Sequence, residues 1–193
     1  PSLQTLHIGH NKLADAGLHA LLDASWIAHI EKLSLSSNSL TSAGIEALLS
    51  HEEVFTLRSL AISKSQLDQG VVDALARASH LDKLDTLHMA EAMRRVETGC
   101  DLGVWHEAPH LATLETLNLD ANTLSSDMVL AILTNPHFSN LRSLSLAKNH
   151  LYTLPRRDDL RLEQLRSLNL SSCNLDAAAI HLITQPCFEK LEA

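Results

Sequence analysis

Aromatic residues, cysteines and cations are all scarce in this chain. Phe, Trp and Tyr make up only 3% of its 193 residues, although 45% are hydrophobic. The apolar content is therefore aliphatic, with 39 Leu and 22 Ala, which argues against a disordered chain. The three cysteines, Cys100, Cys173 and Cys187, are odd in number and widely spaced. They build neither a disulfide framework nor a CxxC zinc pattern. A reducing, intracellular setting is the simplest expectation, with a secreted bacterial effector as the other reading. Lys and Arg number 15 against 23 Asp and Glu, a net charge of −8, and no cationic cluster stands out. That balance disfavours nucleic acid as a partner. No apolar run reaches the roughly 18 residues of a membrane span, and no basic stretch leads into an apolar one at the N-terminus. The chain starts at Pro1 rather than Met, so a fragment of a longer protein is expected.

What the sequence does contain is a period. The spacing L-x-x-L-x-L-x-x-N-x-L appears as Leu3, Leu6, Ile8, Asn11, Leu13 and again as Ile30, Leu33, Leu35, Asn38, Leu40. Further copies start at Leu57, Leu84, Leu114, Leu141 and Leu165, and an eighth is cut off after Leu191. The boundaries are therefore 3–29, 30–56, 57–83, 84–113, 114–140, 141–164 and 165–190, one repetitive domain of about seven units. The L-x-L step has the period of a strand, so its Leu point to one face. The Asn sits where the chain turns away, and its amide can bond backbone groups that would otherwise be buried unpaired. The column reads Asn11, Asn38, Ser65, Ala92, Asn122, Asn149, Cys173. Ser and Cys replace Asn in part; Ala92 has no side chain with which to do so.

A helix is expected after each turn. Thr41-Ser42, Asp68, Ser125-Ser126 and Asp176 are N-cap residue types in the right places. Apolar residues follow at i, i+3 and i+4, as in Ile45, Leu48, Leu49 and Val129, Ile132, Leu133. Three positions before each strand comes another apolar residue: Ile27, Val54, Leu81, Leu111, Phe138, Leu162 and Phe188. Pro109, Pro136 and Pro186 fall where helices should end. One such unit cannot bury its apolar face alone, but stacked neighbours can.

These residues resemble the leucine-rich-repeat family. The 27-residue spacing and the helical half with Gly17 and Gly44 resemble its ribonuclease-inhibitor-like subfamily. The resemblance implies an α/β fold, a right-handed solenoid or horseshoe with a parallel sheet on the concave face and helices on the convex face. It also implies a non-catalytic scaffold that binds a protein partner, with no cofactor. The alternatives it carries are the recognition or regulatory arm of a larger enzyme or immune sensor, of ubiquitin-ligase-effector or GTPase-activating type, and a purely structural spacer. Oligomeric state is left open.

The positions that point into the concave face lie between the strand leucines and just after them. They contain no aromatic residue and no Arg, the types that dominate binding hot spots. The candidate contact residues there are His7, His10, Ser34, Ser37, Lys64, His88, Asn118, Asp120 and Lys148. His106-Glu107-Ala108-Pro109-His110 spells the zinc-protease pattern H-E-x-x-H. That chemistry needs both His on one face of an intact helix, and Pro109 breaks it, so no metal is assigned. Arg156, Arg157 and Arg161 are offset by Asp158 and Asp159. The fourth unit carries three extra residues and loses its pattern over Ala90–Gly103, where Met93, Arg94, Arg95 and Cys100 stand out. Long irregular loops often carry binding residues, but Cys100 has no visible activating partner. The sixth unit holds Leu154-Pro155 where a helix is due, so an extended stretch is expected there.

Overall fold

A computed structural model of the chain describes residues 3–93, 100–151, 159–176, 184 and 188–191. The L-x-L steps form seven strands: β1 (Thr5–His7), β2 (Lys32–Ser34), β3 (Ser59–Ala61), β4 (Thr86–His88), β5 (Thr116–Asn118), β6 (Ser143–Ser145) and β7 (Ser167–Asn169). They pair in chain order into one parallel sheet. The register never slips. Leu6, Leu33, Leu60, Leu87, Leu117, Leu144 and Leu168 align across all seven strands. A one-residue shift would turn each of these Leu to the other face of the sheet.

Behind the sheet, the described residues form four α-helices, α1 (Asp15–Leu22), α2 (Ser42–Leu49), α3 (Gln69–Arg77) and α4 (Ser126–Leu133). The architecture is an α/β solenoid of parallel strands alternating with helices. The core is one continuous layer of Leu, Ile and Val between sheet and helices. The apolar residues three before the first Leu or Ile of each following repeat are all buried, from Ile27 to Phe188. Fully burying a side chain of this size is worth about 2 kcal/mol against exposure. Stacking makes that gain cooperative, because each unit supplies the wall its neighbour needs.

The helix starts are polar junctions between units. Asp68 caps α3 by accepting from the Gly70 N–H at 2.9 Å, and Ser125 caps α4 by accepting from the Met128 N–H at 3.3 Å. Thr41 occupies the N-cap position of α2, but its side chain makes no cap bond. Its N–H and hydroxyl instead donate to Asp15 of the preceding unit. Ser42 accepts from the Asp68 N–H of the next unit at 2.9 Å. Two of the expected caps thus act between units rather than within one. The helix expected beyond Asp176 lies outside the described residues.

The fourth unit departs from the others. Among its described residues there is no α-helix; two 3-10 helices, Leu102–Glu107 and Pro109–Thr113, stand there. Pro109 is the first residue of the second, where its missing N–H leaves no bond unmade. The first of these helices ends at Glu107, so Pro109 follows a helix end as expected, and it opens a second helix as well. Trp105 fills the position of a core Leu. It donates from Nε1 to the Val72 carbonyl at 3.0 Å and meets Phe138 edge to face at 6.2 Å. The irregular stretch expected around Leu154 lies outside the described residues.

Candidate functional site

The open face of the sheet is built from the residues flanking each strand leucine. One row runs Thr5, Lys32, Ser59, Thr86, Thr116, Ser143, Ser167, and the next His7, Ser34, Ala61, His88, Asn118, Ser145, Asn169. None of these side chains is buried, while the Leu between them are buried or half-buried. The third row is Gly9, Ser36, Ser63, Ala90, Asp120, Ala147, Ser171, and the fourth His10, Ser37, Lys64, Glu91, Ala121, Lys148, Ser172.

Members of the fourth row share a backbone conformation that the sequence does not announce. His10, Ser37, Lys64, Glu91, Ala121, Lys148 and Ser172 all have φ between 53° and 59°. This left-handed region suits glycine, yet no glycine is used. The turn is held from outside. In six of the seven, the residue's N–H donates to a carbonyl of the following unit: His10 to Ser36, Ser37 to Ser63, Lys64 to Ala90, Glu91 to Asp120, Ala121 to Ala147 and Lys148 to Ser171.

Third-row side chains also serve the stack. The Ser63 N–H donates to Ser36 Oγ at 3.1 Å, and the Ala90 N–H to Ser63 Oγ at 3.0 Å. Asp120, a candidate contact residue, already accepts from the Ser145 hydroxyl and the Ala147 N–H. Asn118 Oδ1 accepts from the Asp120 N–H at 2.9 Å. Gly9 is required by a close approach, since a Cβ there would meet the Ser36 carbonyl oxygen at 2.9 Å. The candidates Asn118 and Asp120 are therefore tied into the scaffold. His7, His10, Lys64 and Lys148 are exposed, and Ser34, Ser37 and His88 are half-buried. Burial holds the His88 imidazole below its ordinary pKa, with the Asp120 carboxylate pulling the other way.

Behind the fourth row stands the Asn column. Asn38 donates to the carbonyls of Ile8 and Leu35 and accepts from the Leu13 N–H. Asn149 donates to Leu119 and Leu146 and accepts from the N–H groups of Asn122 and Leu124. Asn11, in the first unit, bonds only the Ile8 and Gly9 carbonyls of its own turn among the bonds described. At Ala92 the main chain substitutes: the Ala92 carbonyl accepts from the Leu67 N–H at 2.9 Å. Asn122 covers the remainder, accepting from the Ala92 and Met93 N–H groups. The same main-chain device operates at Cys173, whose carbonyl accepts from Leu151 N–H while its thiol donates to the Leu146 carbonyl. Ser65 is buried and too short; its Oγ has no partner.

On the helical side, the irregular fourth unit leaves a groove of about 1280 Å³ between α3 and α4. Its lining includes Asp68, Asp73, Asp101, Asp127, Leu102 and Met128. Met93 and Cys100 are buried. The Cys100 thiol is pushed up to about 11, first by burial and then by Asp68 and Asp73, so it is no nucleophile at neutral pH. Arg94 and Arg95 lie outside the described residues, as do Arg156, Arg157 and Cys187. In the H-E-x-x-H stretch, His106 Nε2 donates to the Ala131 carbonyl at 2.8 Å, in the following unit. His110 Nε2 donates to the Leu75 carbonyl at 2.9 Å, in the preceding unit. The two rings are committed to opposite neighbours. Among the described residues, no group of three or more His, Cys, Asp and Glu could hold a metal ion. Among them, too, no helix is long and apolar enough to cross a membrane.

Comparison with known proteins agrees with this geometry. A leucine-rich-repeat family model matches residues 1–22 and 27–49, and a second leucine-rich-repeat model matches residues 164–191. No curated protein matches. Among solved structures, an internalin from Listeria monocytogenes is similar over 98% of this chain, with 19% identity and a TM-score of 0.56. This chain spans 60% of that internalin's length. The TLR13–ssRNA13 complex contains a chain similar over 98% of this one, at 17% identity and a TM-score of 0.45, of which this chain covers 35%. The internalin likeness is one of fold.

Proposed function

For this leucine-rich-repeat solenoid, we propose a non-catalytic scaffold that binds a protein partner on the open face of its sheet. The contact set is His7, His10, Ser34, Ser37, Lys64, His88, Asn118, Asp120 and Lys148. The observation that carries the reading is the in-register array itself. Seven strands present mostly small polar side chains in aligned rows, with no Phe, Trp, Tyr or Arg among them, which lets a partner approach the sheet closely. Lys64 and Lys148, held out by the left-handed turn, supply fixed positive charges at its border. Asn118 and Asp120 contribute mainly by holding that border in shape, because their side chains already bond the backbone.

The ribonuclease-inhibitor-like repeat type is part of the same proposal, supported by α-helices in the first, second, third and fifth units. So is the division into one domain of about seven units, supported by the even strand spacing. The buried free thiols of Cys100 and Cys173 fit a reducing, intracellular setting.

The test is charge reversal at both lysines, Lys64→Glu with Lys148→Glu, in the soluble chain. Photo-crosslinking groups at Ser37 and Ser145 identify the bound protein, and its recovery by the two forms is compared. A loss of about fivefold or more is expected for two rim charges, with an unchanged circular-dichroism spectrum. Equal recovery of every partner would remove the open face as the binding surface.

A further inference from the structure

Each unit closes with a short segment between its helix and its next strand, and histidines collect there. His80, His110 and His137 each stand six residues ahead of a strand, before Thr86, Thr116 and Ser143. His51 ends the corresponding turn of the second unit, after α2. Two of these rings staple units together. His110 donates to the Leu75 carbonyl in the last turn of α3, and His137 Nε2 to the His106 carbonyl at 2.9 Å.

The other two differ. His80 Nε2 and His51 Nδ1 are enclosed and have no hydrogen-bond partner. A neutral imidazole tolerates this, because one of its nitrogens is a bare acceptor. A protonated imidazole carries N–H on both nitrogens, so each enclosed atom would become a buried donor with no acceptor. That is a costly state. His51 and His110 lie near enough to His80 to act on its charge, as do the acidic groups Glu52 and Asp82.

We propose that this histidine edge is an acid-sensitive seam between the second, third and fourth units. At neutral pH the His80 ring packs uncharged. Proton uptake at mildly acidic pH opens the edge while the strands stay paired. The direction follows from linkage. Burial, with help from His110 and His51, holds the His80 imidazole below the ordinary value of 6.5 against the pull of Glu52 and Asp82. A His lowered in the folded state contributes stability that is complete above its unfolded value. That contribution is lost as the pH falls toward the folded value.

Amide hydrogen exchange on the whole chain tests the seam, with intrinsic rates corrected, at about pH 7.5 and about pH 5. The reporters are the amides of Val54, Leu81 and Leu84, which bond the carbonyls of His51, Ala78 and Leu81. Leu35 and Leu119, bonded across the sheet to Ala61 and Ser145, are the controls. The expected result is several-fold faster exchange at the seam in acid with the controls unchanged. His80→Gln should abolish this gain. Glu52→Gln, which removes a charge that favours the protonated ring, should move the opening to higher pH. Seam amides equally protected at both values would overturn the proposal, as would an acid response that His80→Gln leaves intact. If His80→Gln does not fold, an NMR titration of the unaltered chain decides: the His80 ring must protonate below the ordinary value of 6.5, and protonation at or above that value rejects the seam.

Discussion

Seven residues of the fourth row, one per unit, hold a left-handed backbone without being glycine, as do Thr123 and Asn174. For an L-residue that conformation costs roughly 1–2 kcal/mol, and it persists because the next unit's carbonyls take the N–H groups. Ala121 is the clearest case, since it has φ 53° and no polar side chain to bond its own turn. Ala121→Gly removes the steric cost and adds some unfolded-state entropy. A net gain of about 0.5–1 kcal/mol is expected in urea denaturation, and a loss would show that the alanine methyl packs more than it strains. The sequence hid this row. His, Ser, Lys, Glu, Ala, Lys and Ser share no turn signature, because the conformation is imposed by a neighbour about 27 residues away rather than by local preference. The candidate contact residues were found by alternation alone, which places a side chain on a face but does not reveal whether it is already engaged. Hence Asp120 stands among the candidate contacts, whereas its carboxylate is a brace between the fifth and sixth units.

At the level of the element, the polar column works as a set of cross-braces whose members are unequal. Asn149 serves two buried N–H groups and two buried carbonyls. Asn149→Ala strands them, and a loss of about 3 kcal/mol is expected from unsatisfied buried groups, read from the denaturation midpoint at constant slope. A loss below about 1 kcal/mol would mean that the backbone closes over the gap, as it does at Ala92 and Cys173. That substitution by the main chain could not be read from the sequence, where Ala92 is simply a missing amide. The helices of the regular units were legible from their apolar stripes. The fourth was not, because Leu102, Trp105 and Leu111 keep the buried positions while Pro109 breaks the α-helix between them. Periodicity reports which residues go inside, and 3-10 and α-helices can satisfy the same inside positions.

Across the whole molecule, the period alone was enough to give the parallel sheet, its strand order and its register. A repeat unable to bury its own face has one economical solution, which is to stack on its copy. Contacts therefore join each unit to its immediate neighbours, and among the described residues no strand returns to close the sheet. This ordering has a mechanical consequence. A molecule held by its two ends and stretched in an optical trap bears load in series, unit after unit, with no bond that must break before all others. It should lengthen in a staircase rather than a single rupture. Each step should release about 9 nm for a 27-residue unit, from the span of an extended chain, and about 10 nm for the longer fourth unit between the Leu87 and Leu117 strands. One abrupt event spanning the entire length would contradict this. The stepped outcome describes an extensible tether, able to yield a unit at a time under tension and to rewind from whichever part stays folded.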